Sequence, residues 1–172
     1  MTINLIAAIS KTNQLGYKNK LLTELPNDLA RFKELTLNSI CVQGRKTYES
    51  IIKRNEKPLS HRTNIVVSRN VNYHVHPSCY LYNSVDDIIR EYEEYAEKEA
   101  NVFVIGGKTL YQQFLPYADY IYLTIIDHIF PKADTYFPQF TLDDWKIIEH
   151  IKNKADEQHL YDYHYVTYKR KK

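Results

Sequence analysis

The residue that most suggests chemistry in this sequence is Asp28, an acid set among apolar side chains. Leu25, Leu29 and Phe32 surround it at helical spacing, and Pro26 is typical of a first helical turn. An acid at this position can simply offset the helix dipole. A carboxylate in an apolar cleft can also accept two hydrogen bonds from a cationic or amidine-like ring. Phe32 would then lie against that flat ring, or it is a plain core residue, and the residues alone leave these interpretations open.

The few glycines of the chain mark a second region with chemical potential. There are only four, Gly16, Gly44, Gly106 and Gly107. Gly16 lies in a polar loop after the first predicted strand, and the other three lie where a predicted strand passes into a helix. Glycine is typical of positions with positive φ or of backbone that a ligand approaches closely. Their clustering indicates a backbone that receives a ligand, although tight strand-to-helix turns also favour glycine.

Cations and hydroxyl groups follow these glycine junctions. The segments Gly44-Arg45-Lys46-Thr47 and Gly106-Gly107-Lys108-Thr109 place them at helix N-termini, where free N–H groups and the helix dipole favour anions. Ser68 and Arg69 end another predicted strand. Neither of the two glycine segments is a Walker loop or a GxGxxG fingerprint, which argues against an ATPase or a standard Rossmann site. Three such strand ends predict a long ligand with several phosphates.

Alternating strands and helices must position these residues. Strands are predicted over 3–9, 39–43, 63–68, 101–105 and 120–126, with helices beginning at Pro26, Arg45, Ser84 and Gly107 and a final hairpin of 145–152 and 159–169. This order predicts a single α/β domain over residues 1–172. We expect a mainly parallel central sheet flanked by helices, with a C-terminal antiparallel hairpin. Ligands of such sheets bind beyond the carboxyl ends of the strands.

Composition narrows the class of protein further. The chain has 172 residues, 44% of them hydrophobic, and a net charge of +2, so nothing favours nucleic acid or a membrane surface as a partner. No apolar run approaches the ~20 residues of a membrane helix, and we see no signal peptide. Cys41 is predicted to be a buried free thiol, which suits a reducing cytoplasm. The histidines, including His74, His76 and His128, are predicted to lie on the surface, and no metal is expected.

Taken in order, these segments resemble bacterial dihydrofolate reductase over nearly the whole chain. Each motif is weak alone, but the ordered set is specific. The matching residues are Ile6-Ala7-Ala8, Leu15-Gly16 with Asn19, Leu25-Pro26-Asn27-Asp28-Leu29, Gly44-Arg45-Lys46-Thr47-Tyr48-Glu49-Ser50-Ile51, Pro58-Leu59, Arg62, Asn64-Ile65-Val66-Val67-Ser68-Arg69, Val104-Ile105-Gly106-Gly107, Tyr111, Tyr122-Leu123-Thr124 and Asp134-Thr135-Tyr136-Phe137-Pro138.

The resemblance implies a reductase that transfers hydride from NADPH to C6 of dihydrofolate, with a proton reaching N5. Asp28 would hold the pterin, supported by Thr124, and Arg62 would bind the α-carboxylate of the glutamate tail. Tyr111 would edge the nicotinamide. The walls of the folate pocket would be Ile6, Ala8, Leu29, Phe32, Ile51, Leu59 and Ile105.

The resemblance also implies a set of cofactor contacts, with Gly106 and Gly107 joined by a cis peptide. The set is Ala8, Leu15, Gly16, Asn19, Gly44, Arg45, Lys46, Thr47, Val67, Ser68, Arg69, Ile105, Gly106, Gly107, Lys108, Thr109, Leu110, Tyr111 and Thr135. The expected partners are dihydrofolate and antifolate-type small molecules, with neither nucleic acid nor membrane. We expect a cytoplasmic monomer.

One departure from the family pattern concerns the catalytic group, to which Leu21 and Thr23 are assigned with Asp28 and Thr124. The family usually has Pro-Trp a few residues before the aspartate, whereas this chain reads Leu21-Leu22-Thr23-Glu24, and its one tryptophan is Trp145. Thr23 keeps a hydroxyl that can bind water but supplies no indole wall. Gln43 is likewise polar where the family is commonly apolar.

Two other functions remain open from the sequence. A related reductase, such as the pyrimidine reductase of riboflavin synthesis, shares this architecture, although Asp28 and Arg62 favour folate. The alternative of another class is a catalytically weakened protein that only binds a nucleotide or a pterin.

Overall fold

A central sheet of eight strands brings the predicted strand ends together at one edge. The computed structural model describes residues 1–95 and 99–172. The strands are β1 (Thr2–Ser10), β2 (Gln14–Gly16), β3 (Ile40–Gly44), β4 (Thr63–Val67), β5 (Tyr80–Tyr82), β6 (Asn101–Gly106), β7 (Tyr120–Ile126), β8 (Thr135–Tyr136), β9 (Trp145–Asn153) and β10 (Tyr163–Arg170). The helices are α1 (Pro26–Thr36), α2 (Arg45–Asn55), α3 (Val85–Tyr95) and α4 (Lys108–Phe114), and a 3-10 turn at Leu115–Tyr117 follows α4.

The strand order defines the position of the ligand crevice. It is β5-β4-β3-β6-β1-β7-β10-β9, and β2 pairs with β8 in a separate small sheet. All strands from β5 to β7 in this order run parallel, whereas β10 is antiparallel to β7 and β9. The predicted α/β class with its C-terminal antiparallel strands is therefore confirmed. The chain leaves β1 toward β3 but leaves β6 toward β7, so a crevice opens at the carboxyl ends of β1 and β6.

The parallel strands consist of continuous apolar runs, because other parts of the protein cover both faces of the sheet there. Leu5 of β1, Val42 of β3 and Val104 of β6 are all 0% exposed. Phe114 of α4 and Ile121 of β7 are also fully buried in this core. Burial of each such side chain contributes about 1.5–3 kcal/mol. The sheet is thus a firm base for the loops at its edge.

The helix starts follow the predicted signals closely. α1 begins at Pro26 and α2 at Arg45, as predicted, and α4 begins one residue later than expected. Ser84 caps α3, because the backbone N–H of Asp87 donates to Ser84 Oγ at 3.1 Å. The starts of α1 and α3 thus have local causes in the sequence, a proline and a capping serine.

Differences from the prediction lie in short strands and loops. β2, β5 and β8 span two or three residues each and were not predicted. The last strand begins at Tyr163 rather than at residue 159, because an isolated bridge between Asp156 and His159 closes a turn before it. No helix of the described residues is long and apolar enough to cross a membrane.

The cysteines and histidines give one confirmation and one correction. Cys41 and Cys79 are free and buried, as predicted for Cys41. His74 and His76 are exposed. The prediction of surface histidines is wrong for His159, which is only 1% exposed. The residues just before it, Asp156, Glu157 and Gln158, are polar, and one of its partners, Asn27, is distant in the chain.

Candidate active site

One large cleft lies at the carboxyl edge of the parallel strands. Its volume is about 1580 Å³, whereas a pocket for a single small ligand typically has roughly 300–1,000 Å³. The cleft therefore has room for two ligands side by side.

Every site residue predicted from the sequence borders this cleft, so the structure brings the whole set together. Their binding roles remain predictions. From β1 and the following loop come Ile6, Ala8, Leu15, Gly16, Asn19, Leu21 and Thr23; from α1 come Asp28, Leu29 and Phe32; from β3, α2 and the next loop come Gly44, Arg45, Lys46, Thr47, Ile51, Leu59 and Arg62; from the end of β4 come Val67, Ser68 and Arg69; from β6 and α4 come Ile105, Gly106, Gly107, Lys108, Thr109, Leu110 and Tyr111; and from β7 and β8 come Thr124 and Thr135.

Helix α1 turns its apolar face toward the cleft. Thr36 is the buried residue within this helix, whereas Leu29 is 37% exposed and Phe32 is half-buried. An apolar helical stripe is normally buried against the protein core. Here the stripe borders open space, which favours a flat apolar ligand over the interpretation of Phe32 as a plain core residue.

Asp28 lies on this apolar face with a hydrogen bond from the sheet. Thr124 Oγ1 of β7 donates to Asp28 Oδ1, and Thr124 itself is 4% exposed. Burial raises the pKa of Asp28, while the Thr124 hydrogen bond and the positive charge of Arg31 act in the opposite direction. A half-buried acid held in this way is suited to binding a cationic ring.

Tyr111 closes the cleft beside β1. Its hydroxyl donates to the carbonyl oxygen of Ile6 at 2.7 Å, and its ring packs at 5.0 Å from that of Phe137. Burial raises the pKa of Tyr111, so the phenol remains protonated and continues to donate. The carbonyl of Ile6 therefore faces the cleft with a hydrogen-bond partner already in place.

Arg62 is oriented by two hydrogen bonds. Its Nε donates to the carbonyl oxygen of Ser60 at 2.7 Å, and a terminal nitrogen donates to Thr36 Oγ1 at 3.1 Å. Thr36 in turn donates to the carbonyl oxygen of Phe32 at 2.7 Å. Desolvation lowers the pKa of Arg62 from its ordinary value. A guanidinium fixed at the end of α1 can bind a carboxylate in a defined orientation.

The two glycine junctions lie side by side at the ends of β3 and β6. A Cβ on Gly44 would lie 3.7 Å from the backbone nitrogen of Gly107. Gly106 has φ +131°, and the peptide between Gly106 and Gly107 is cis. A Cβ on Gly106 would lie 3.3 Å from Thr47 Oγ1 and 3.4 Å from the hydroxyl oxygen of Tyr111. The positive φ of Gly106 favours glycine at that position, and without side chains the three glycines leave the backbone open to a ligand.

A third anion-friendly strand end completes this side of the cleft. The backbone N–H of Ser68 donates to the carbonyl oxygen of Tyr82, and Asn83 Nδ2 donates to the carbonyl oxygen of Ser68 at 2.9 Å. Arg69 follows as an exposed cation. These backbone contacts fix the strand end, while Arg69 extends from it into the cleft rim. NADPH fits this half of the cleft, since its phosphates require cations beside an unobstructed backbone.

The loop after β1 is tied to the segment around β8. The side-chain amide of Gln14 donates to the carbonyl oxygen of Phe130 at 2.6 Å and accepts from the backbone N–H of Phe130 at 2.8 Å. Asp134 accepts from the backbone N–H of Lys18 at 3.0 Å, which is the main reason that the pKa of Asp134 is lowered. Gly16 and Thr135 are thereby kept at the cleft.

The segment that replaces the family Pro-Trp lies at the mouth of the cleft. Thr23 is half-buried and borders the cleft. Glu24, next to it, pairs with Arg54 of α2 at 3.3 Å. Trp145 is buried beneath Arg170, at 4.3 Å from ring to guanidinium, and does not border the cleft. Since Trp145 is the one tryptophan of the chain, no indole occupies the position that the tryptophan has in the family.

Several residues of this site carry no local sequence signal. Thr36 and Asn83 form hydrogen bonds with Arg62 and Ser68, which are distant in the chain, and Arg31 lowers the pKa of Asp28 through its charge. Tyr165 lies directly opposite Thr124 in the β7–β10 pairing. Arg31 lies one helical turn after Asp28. Its influence on the site could have been predicted only from the position of Asp28 on the helix.

The sheet topology is that of an α/β fold, and the cleft has room for an extended anionic ligand beside an apolar pocket. The family model for dihydrofolate reductase matches residues 2–170. A dihydrofolate reductase of Staphylococcus aureus is 32% identical over 172 residues and one of Bacillus subtilis is 36% identical over 169, covering 100% and 98% of this chain and 100% and 95% of those proteins.

A solved structure gives the same assignment. It is the dihydrofolate reductase of Enterococcus faecalis complexed with NADP(H) and RAB-propyl, with a TM-score of 0.87, 32% identity and coverage of 99% and 97% of the two chains. The chain belongs to the dihydrofolate reductase family. It is thus an NADPH-dependent oxidoreductase, and the family favours folate over the pyrimidine substrate left open above.

Proposed function

We propose that the chain reduces 7,8-dihydrofolate to 5,6,7,8-tetrahydrofolate, with Asp28 as the residue that orients the pterin. The hydrogen-bonded Asp28 and Thr124, on the apolar face of α1 in the cleft, carry this proposal. An ionised carboxylate accepts two parallel hydrogen bonds, which matches the adjacent amino group and ring nitrogen of a pterin. Thr124 holds one carboxylate oxygen and so limits rotation of the side chain.

The other end of the substrate is assigned to Arg62. The tail of dihydrofolate ends in a glutamate, whose α-carboxylate suits a planar guanidinium. Leu29, Phe32 and Leu59 line the cleft together with Asp28 and Arg62. The two charged residues therefore set the orientation, and the apolar side chains contribute burial of the rings.

Cofactor binding is assigned to the glycine junctions and the cations beside them. NADPH, when bound, supplies the hydride that reaches C6 of dihydrofolate. Arg45, Lys46 and Arg69 would bind phosphate groups, and the open backbone at Gly106 and Gly107 would let the cofactor approach. The protein's share of the reaction is alignment of two flat rings in one cleft.

Proton delivery to N5 is assigned to Asp28 and to the residues Thr23 and Leu21 of the loop before α1. Asp28 favours the protonated form of the pterin, because a negative charge nearby raises the proton affinity of the ring. Thr23 would hold a water near the substrate through its hydroxyl. Leu21 is 51% exposed beside it and would cover the ring when substrate is present.

Partners and location follow from the same assignment. We expect antifolate-type molecules to bind the pterin pocket, and we expect the chain to act as a cytoplasmic monomer without nucleic acid or membrane. Sedimentation at increasing protein concentration tests the monomer. A mass well above 20.5 kDa would contradict it.

A direct assay tests the proposed function. NADPH absorbance is followed with dihydrofolate, with a dihydropterin that lacks the glutamate tail, and without any substrate. We expect rapid oxidation with dihydrofolate and slower oxidation with the tailless pterin. No oxidation above the background with either pterin would contradict the proposal and would favour one of the two alternatives, the pyrimidine reductase or the binding protein.

A further inference from the structure

Helix α1 begins without a cap from its own sequence. Residue Leu25 precedes the helix and has no capping side chain, and Pro26 has no N–H group. The backbone N–H groups of Asp28 and Leu29 both donate to the carbonyl oxygen of Leu25, at 3.0 and 3.1 Å. Asn27 has the remaining N–H of the first turn, immediately before Asp28, and it needs an acceptor from elsewhere.

His159 provides this acceptor from the other end of the chain. The backbone N–H of Asn27 donates to His159 Nε2 at 3.2 Å, across 132 residues of sequence. His159 Nδ1 lies 2.7 Å from Asp156 Oδ1. Since Nε2 accepts, the proton is on Nδ1 and is donated to Asp156. Both ring nitrogens of this buried histidine are thus committed, and the partners define its tautomer.

Stacked side chains extend this contact along the helix. The ring of His159 stacks on that of Tyr163 at 5.1 Å with an interplanar angle of 28°, and Tyr163 contacts Tyr165 edge-on at 5.7 Å. Tyr165 lies 4.0 Å below the guanidinium of Arg31. Tyr163 also accepts a hydrogen bond from Asn27 Nδ2 at 3.1 Å. We call His159, Tyr163 and Tyr165 the hairpin column.

The hairpin column meets α1 on both sides of Asp28. His159 binds the backbone of Asn27, the residue before Asp28, and Tyr165 contacts Arg31, one turn after Asp28. Tyr165 is also the direct partner of Thr124 in the sheet. Strand β10, which carries Tyr163 and Tyr165, and the turn before it, which carries His159, therefore support both the helix of Asp28 and the hydroxyl group that donates to it.

We propose that His159 is a positioning residue that anchors the first turn of α1 and so sets the place of Asp28 in the cleft. The inference rests on the proposed role of Asp28 in binding the pterin. A side chain that contacts neither substrate nor cofactor acts here through the backbone of Asn27. A displacement of about 1 Å at a reacting group can reduce turnover roughly a hundredfold.

Two substitutions at His159 separate anchoring from simple packing. His159→Leu fills a similar volume but has no acceptor for the Asn27 N–H, whereas His159→Gln keeps an amide oxygen near the position of Nε2. We expect His159→Leu to lower kcat about ten- to a hundredfold and raise KM for dihydrofolate, with unchanged affinity for NADPH. His159→Gln should recover most of this loss. His164→Leu, a half-exposed histidine on β10, is the control and should match the wild type.

A second readout does not depend on turnover. Amide hydrogen exchange of a peptide covering residues 24–31 should become faster in His159→Leu and stay protected in His159→Gln. Wild-type kcat and exchange in His159→Leu would overturn the proposal. Equal losses in both variants, in proportion to the unfolded fraction, would overturn it too, because packing alone would then account for them. Asp28→Asn distinguishes the two claims: a fully active Asp28→Asn contradicts the role of Asp28, while the exchange data still report on the anchor.

Discussion

The two halves of the cleft are built in different ways. In the folate half, Asp28 and Arg62 stand in mainly apolar walls, and each is held by a threonine, Thr124 and Thr36. In the cofactor half, glycine junctions present bare backbone and the cations are exposed, with the Arg45 side chain 45% accessible. Charge is fixed by side-chain hydrogen bonds in the first half and supplied by exposed side chains in the second. Substitutions should therefore affect turnover or binding of the substrate in the folate half, and affinity for the cofactor in the cofactor half.

Asp28→Asn should have the largest effect. The amide keeps the shape but removes the charge that favours a protonated pterin, so kcat/KM for dihydrofolate should fall at least about a hundredfold at neutral pH. Activity should return in part as the pH is lowered, since substrate then arrives already protonated. Measurement of kcat/KM from acid to neutral pH tests this. An unchanged kcat/KM would contradict the assigned role and restore the helix-dipole interpretation.

Cations of the cofactor half should produce a large but selective effect. Arg69→Ala or Arg45→Ala removes a charge-assisted hydrogen bond to the 2′-phosphate, worth about 1.5–3 kcal/mol, so NADPH should bind roughly 10- to 150-fold more weakly. NADH binding should change little, and Lys146→Ala on β9 serves as the distant control. Titration of each cofactor gives both constants. Equal losses for NADPH and NADH would show that these arginines bind another group.

Arg62→Lys should have a smaller effect, confined to the substrate tail. Lysine cannot pair both oxygens of a carboxylate in a planar fork and cannot repeat the contacts with Ser60 and Thr36. We expect KM for dihydrofolate to rise about tenfold, which corresponds to one lost charge-assisted hydrogen bond. Steady-state kinetics with dihydrofolate and a tailless pterin test this, with Arg90→Lys on α3 as control. An equal rise for the tailless substrate would make Arg62 structural.

The smallest expected effect concerns stability at the same aspartate. Burial raises the pKa of Asp28, so its protonated form favours the folded state. That contribution is complete below the ordinary aspartate range and is lost as the pH rises through the raised value. Asp28→Asn should therefore raise Tm slightly at neutral pH, and the difference should vanish in acid. A lower Tm at neutral pH would favour an acid that serves only to offset the helix dipole, which is worth roughly 0.3–1 kcal/mol.

Much of the fold could be predicted because its signals are local. The apolar run of β7, for example, was predicted over residues 120–126, as the structure has it, and Pro26 marked the start of α1. β2 and β8 could not be found, since two or three residues show no periodicity and their pairing depends on loops brought together by the fold.

Prediction of the site was uneven for a physical reason. Residues that touch the cleft lie in motifs at strand ends, and all of those predicted do border it. The residues that orient them were missed because their partners are distant in sequence. The hydrogen bond between Thr36 and Arg62 spans 26 residues, and the one between Asn27 and His159 spans 132. The three residues before His159 are polar, which favoured a position on the surface. Contacts of this kind have no pattern in a single sequence.

The place of β10 between β7 and β9 has a consequence for synthesis of the enzyme. Asp28 leaves the ribosome early, but its helix anchor, His159, lies just before the last strand, and Tyr165, the neighbour of Thr124, lies within that strand. At about 5–20 residues per second, the 132 residues between Asn27 and His159 take roughly 7–26 s to make. Through that interval the nascent chain exposes the apolar face of α1 without its support. The final closure joins distant parts of the chain, the kind of contact that slows folding.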